Sequence, residues 1–216
     1  MKIQQKEILR YLGYGGKPAD SAVLERIDAI KKELEACLTP KSVYGKWSCE
    51  VNADGTVAIG NFIIKSRALA DHIKDCEYVI LLAATLGAEA DTRIRRYSVT
   101  NIGKAAITQA VCTAMIESYC DDLECRISGE QEGLYLKSRF SPGYGDFSIT
   151  HQKDILNFLE CGKRIGITLT DNFMMIPEKS VTAVIGLSKK QDGHKGKCGD
   201  CGNLQCEFRK EQEYDF

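Results

Sequence analysis

Apolar residues recur at Leu24, Ile27, Ile30, Leu34 and Leu38, the three-and-four spacing of one helical face, with Glu25, Asp28, Lys31, Lys32 and Glu35 on the wet side. Pro18 sits near the start of this helix, where its missing N–H would lack a partner anyway. A shorter helix over residues 3–12 precedes it and ends at the glycine-rich GYGG of positions 13–16. From Ser42 to Ile64 polar and apolar residues alternate around Asn52-Ala53-Asp54-Gly55, which predicts strands joined by a hairpin turn. Ser66 is placed to cap a helix running through Cys76. The run Val79 to Ala83 is continuously apolar and of strand length, so a strand buried on both faces is expected. A helix over about 89–97 follows. The strongest helical segment spans 102–124; Ile102 to Ile116 is apolar or small on nearly every side, which places this helix at the centre. A strand over Leu134–Phe140, a helix over 151–160 capped by Thr150, and a core strand over Val181–Leu187 complete the pattern.

Helices and strands mix without regular alternation, which predicts an α+β fold with a mixed, largely antiparallel sheet. Three regions are expected: a helical segment over 1–40, an α+β core over 41–188, and a tail over 189–216 where apolar residues thin out and cysteines cluster. At 216 residues with 44% hydrophobic content, the chain can bury a real core. Its 29 Lys and Arg against 30 Asp and Glu leave no basic field to draw nucleic acid. The longest apolar stretch, Tyr78 to Leu86, is too short for a membrane span, and MKIQQKEILRYL reads as an amphipathic start rather than a secretory signal. A cytoplasmic protein is expected. Neither G-x-G-x-x-G nor G-x-x-x-x-G-K-[ST] follows any strand, so dinucleotide and triphosphate sites of those kinds have no support.

The densest chemistry lies in LKSRFSPGYGDFSITHQ, residues 136–152. Arg139 offers a planar fork suited to a carboxylate or phosphate, and Pro142 stiffens the turn. Gly143 and Gly145 let a ligand approach bare backbone, Tyr144 presents a flat ring, and Ser141 joins them. Such a loop suits a small molecule with one anionic and one aromatic end, as in S-adenosylmethionine. Read blandly, Arg139 pairs with a structural carboxylate and the glycines only make a turn. His72 is expected on a helix surface, His151 in a first helical turn, and Trp47 in core or interface. Of the 10 cysteines, seven are scattered singly as small apolar fillers. The other three, Cys198, Cys201 and Cys206, lie near His194 with spacing suited to zinc, or to an iron-sulfur cluster if a fourth thiolate such as Cys161 joins; an unstructured reduced tail is the alternative.

Three stretches, in order, carry a resemblance to the activation domain of vitamin B12-dependent methionine synthase: IIKSRALADHIKDCEYVILLAATLGAEADTRIRRYS, the loop RFSPGYGDFSITHQ, and LTDNFMMIPEKSVTAVIGLS. The resemblance implies binding of S-adenosylmethionine and docking on a cobalamin-carrying methyltransferase, whose cob(II) form is then reduced and remethylated. By matching position, Arg139 would hold the ligand carboxylate, Ser141, Gly143 and Gly145 would receive the rest of the ligand, and Tyr144 would face the corrin. It also implies a partner such as a short methionine synthase and an electron donor such as flavodoxin or ferredoxin. Two positions depart from the family pattern: an expected acidic residue on the central helix has Asn101 and Gln109 as its nearest counterparts, and an aromatic position falls at about Ile185. A metal-binding regulatory or assembly module of a corrinoid system, without S-adenosylmethionine, is the competing expectation.

Overall fold

The computed structural model describes residues 3–15 and 17–190. Helices α1 (Gln5–Tyr11) and α2 (Ser21–Cys37) come first. Asp20, not Pro18, sets the start of α2: its carboxylate accepts the Val23 N–H at 2.8 Å. Strand β1 (Lys41–Val51) is followed by two tight turns joining it to β2 (Thr56–Ile59) and β3 (Phe62–Lys65). The expected hairpin lies at residues 52–55, and a second one at residues 60–61 folds β3 back.

Helix α3 (Arg67–Ile73) begins where Ser66 Oγ accepts the Leu69 N–H at 3.0 Å. It ends before Cys76, because Cys76 opens strand β4 (Cys76–Thr85) and pairs in the sheet opposite Ser188. Sheet pairing of a continuous apolar run wins over one more helical turn. Helices α4 (Ala88–Thr100) and α5 (Ile102–Gly129) follow, with Asn101 capping α5 through the Lys104 N–H at 2.9 Å. The remaining elements are β5 (Tyr135–Leu136), α6 (His151–Phe158), α7 (Cys161–Arg164), the small hairpin β6 (Thr168–Leu169) and β7 (Met175–Ile176), and β8 (Ser180–Ser188).

Six strands form an antiparallel sheet in the order β3-β2-β1-β4-β8-β5. This is the expected α+β architecture. Strand β4 lies between β1 and β8, and its alternate side chains enter two cores, which is why the sequence there shows no polar alternation. Ile80, Leu82 and Ala84 meet α1, α2 and α5, while Val79, Leu81 and Ala83 meet α3, α6 and Phe147. Helix α5 is the spine of the first core, with Val111, Cys112, Met115 and Cys120 fully buried. Ile8, Ile27, Ile30 and Leu34 of α1 and α2 belong to that same core. Among the described residues, no helix is long and apolar enough to cross a membrane.

Candidate functional site

After β5 the chain runs alongside β8 through the Lys137 N–H to Gly186 at 2.8 Å and an isolated bridge between Phe140 and Val184. The expected strand over 134–140 is therefore a two-residue strand plus one bridge. That path carries Arg139 under the C-terminal half of α5. Its side chain is 3% exposed and reaches Glu124 at 2.6 Å, Asp121 at 2.7 Å and Glu117 at 3.1 Å. These acids stand at i, i+4 and i+7 of α5 and so share one face. Burial works against the guanidinium charge, but attraction to Glu124, Glu117 and Asp121 outweighs it and raises the pKa above the ordinary arginine value. Among the described residues, three of the five N–H donors are thus engaged by protein, and two remain.

The loop beyond Arg139 is built by local hydrogen bonds. The Tyr144 N–H donates to Ser141 O at 3.1 Å, the Phe147 N–H to Tyr144 O at 2.9 Å, and the Gly143 N–H to Phe147 O at 2.7 Å. Gly143 and Gly145 take φ of +99° and +55°, a region that disfavours other residues. A Cβ on Gly145 would come within 2.9 Å of the Ala68 Cβ, so this glycine lets the loop press against α3. Asp146 fastens the contact: its carboxylate accepts the Ser66 hydroxyl at 2.6 Å and the Arg67 and Ala68 N–H groups at 2.9 and 3.0 Å. Those bonds hold the Asp146 carboxyl below the usual range, the Ser66 hydroxyl contributing most. Sequence reasoning passed over Asp146, since nothing local reveals a cap supplied from about 80 residues away.

Between the loop, α5, α6, β7 and β8 lies an open hollow of about 140 Å³, lined by Glu117, Arg139, Ser141, Tyr144 and Gln152 with Met175 and Ser180–Thr182. Tyr144 is 54% exposed at its mouth, edge-on to Phe140 at 5.8 Å between centroids. Gly143 and Gly145 do not line it; their conformations make the turn that presents Ser141 and Tyr144. Two polar atoms of residues that line it, Gln152 Oε1 and Thr182 Oγ1, are buried and have no hydrogen-bond partner among the described residues.

Of the acidic side chains on α5, Glu117 lines the hollow, whereas Asn101 and Gln109, the nearest counterparts of the expected acidic position, do not. Asn101 is committed to capping α5, and Gln109 is exposed outside the lining of the hollow. An acidic stripe at helical spacing on an otherwise apolar helix was the available signal. Ile185 is sealed in the core opposite Ile80, away from the hollow.

A sequence profile described as "Vitamin B12 dependent methionine synthase, activation domain" matches residues 63–211, more than half of the chain. The chain belongs to that family. The crystal structure of the MetH reactivation domain bound to AdoHcy is similar in fold, with a TM-score of 0.63 at 16% identity over 88% of this chain and 78% of that one. No curated protein sequence matches.

In this activation-domain chain the other singled-out residues have structural partners. His72 is half-buried on α3 rather than a plain surface residue: its Nε2 contacts Ser138 O at 2.9 Å and its ring stacks on Phe140. His151 opens α6 and pairs with Asp154 at 2.8 Å. Trp47 packs edge-on against Phe158 beside the second core. Among the described residues, no group of His, Cys, Asp and Glu could hold a metal ion. His194, Cys198, Cys201 and Cys206 lie outside the described residues.

Proposed function

We propose that this chain binds S-adenosylmethionine in the hollow beside Arg139 and docks on a cobalamin-carrying methyltransferase to support reductive remethylation of cob(II)alamin. The observation that carries this reading is the hollow itself: it opens at the Arg139–Tyr144 loop, inside the span matched to the activation-domain family, and its wall holds charged and unpartnered polar groups. The similar MetH reactivation domain was crystallised with AdoHcy, the product such a methyl transfer leaves. In this reading Arg139 uses its two remaining donors on the ligand carboxylate, Ser141 and the turn at Gly143 and Gly145 frame the rest, and exposed Tyr144 faces the corrin. The site lies within residues 41–188, and helices α1 and α2 of the segment 1–40 pack into the first core beside it.

The protein's task is orientation. The sulfonium methyl must lie in line with the cobalt of the partner, and positioning of this kind is worth ~7–11 kcal/mol of barrier. The cobalamin supplies the chemistry of methyl acceptance, and one electron comes from a carrier such as flavodoxin or ferredoxin. Purified protein, mixed anaerobically with the partner in its cob(II) form, a reductant and methyl-labelled S-adenosylmethionine, is expected to move label onto the corrinoid. Absence of labelled methylcobalamin, with the partner active in ordinary turnover, would contradict the role.

A further inference from the structure

We infer that Gln152 and Thr182 are ligand-binding residues of the hollow, and that Gln152 Oε1 accepts a hydrogen bond from a protonated amine on the ligand. The inference rests on the reading that the hollow binds S-adenosylmethionine, whose methionine part carries such an amine. Both residues line the hollow; Gln152 is 7% exposed and Thr182 2%. Gln152 Oε1 and Thr182 Oγ1 nonetheless have no hydrogen-bond partner among the described residues. A buried polar atom left unsatisfied is destabilising, so two of them on residues that line one hollow mark a place where a partner arrives with the ligand.

The chemistry of the wall selects the partner. An amide oxygen accepts only, so the group facing it must bring an N–H or O–H. The positive charge of Arg139 is already met by three carboxylates, and Glu117 lines the same hollow, which favours a cationic donor over a neutral hydroxyl. The terminal amide torsion of glutamine is soft, and a small turn about it presents Oε1 to the hollow. The Thr182 hydroxyl can both donate and accept, so it serves a second polar group of the same ligand.

The test uses the full chain and calorimetric titration with S-adenosylmethionine and with an analogue lacking the α-amino group. Gln152→Leu and Thr182→Val are each expected to weaken S-adenosylmethionine binding about tenfold, the loss of one well-placed hydrogen bond to a charged group. Wild type should prefer the parent ligand over the amine-free analogue, and Gln152→Leu should nearly abolish that preference. Thermal melting without ligand should be unchanged or higher in both variants, because each removes an unsatisfied atom. Binding by wild type with unaltered affinity in both variants would overturn this inference while leaving the proposed function standing; so would an amine preference untouched by Gln152→Leu. A lower ligand-free melting temperature in both variants would show the atoms to be structural and would also overturn it. No binding by wild type at all would remove both.

Discussion

Arg139 shows the structural pairing that the sequence offered as one of two readings, in a position where the other, ligand binding, can be tested. It pairs with structural carboxylates, and it also lines the hollow. Arg139→Ala would leave Glu117, Asp121 and Glu124 facing one another without their cation. Removing one partner of a fully buried pair costs about 3–5 kcal/mol, but Asp121 is 57% exposed here, so a loss of about 1–2 kcal/mol is expected by urea denaturation. Asp146 makes a separate, pH-dependent contribution. Its folded pKa lies below its unfolded value of about 3.9, so its stabilisation is full above that value and is lost as pH falls through the lower folded one. Asp146→Ala should therefore melt below wild type at pH 7, and the gap should close on acidification below about pH 4; an equal gap at pH 3 and pH 7 would refute it. Arg139, Ser141 and Tyr144 were legible in sequence because they lie within one loop. Glu117, Gln152, Thr182 and Asp146 were not, because each acquires its meaning only when distant elements meet.

The loop and α3 form one mechanical unit, tied by Asp146 and by the close approach of Gly145 to Ala68. Gly145→Ala would add both a strained φ and a steric overlap, with an expected loss of about 1–2 kcal/mol and weaker ligand binding, since Ser141 and Tyr144 are presented by the same turn. Equal stability of the variant and wild type in denaturant would show that the loop moves freely. Strong patterns located the major elements: β4 from its unbroken apolar run, α5 from apolar positions on every side, α2 from its stripe. Errors fell where tertiary contacts decide. The end of α3 gave way to β4, the strand before Arg139 shrank to two residues because only part of it pairs with β8, and the β6–β7 hairpin is too short for periodicity to announce.

Across the molecule, a single sheet divides two apolar cores, and the hollow opens where β8 and α5 meet the loop leading to α6. The scattered cysteines mostly fill those cores. Burial pushes Cys49 up to about 11, and Cys112 and Cys161 up to about 12, whereas Cys125 on α5 is exposed. Alkylation of native protein at pH 8, followed by peptide mass mapping, should therefore modify Cys125 well before Cys49, Cys112 or Cys161; comparable rates would place those three thiols in water. The family was legible because its stretches keep their order along the chain, and the fold of the similar MetH reactivation domain agrees with it. The central claim is that the wall beside Arg139 is a ligand site rather than a packing defect. Calorimetric titration of S-adenosylmethionine into wild type and Arg139→Ala tests it most directly: saturable one-site binding by wild type and at least tenfold weaker binding by the variant are predicted, the latter equivalent to about 1.4 kcal/mol. Heats indistinguishable from dilution in wild type, or equal affinity in a folded variant, would contradict it.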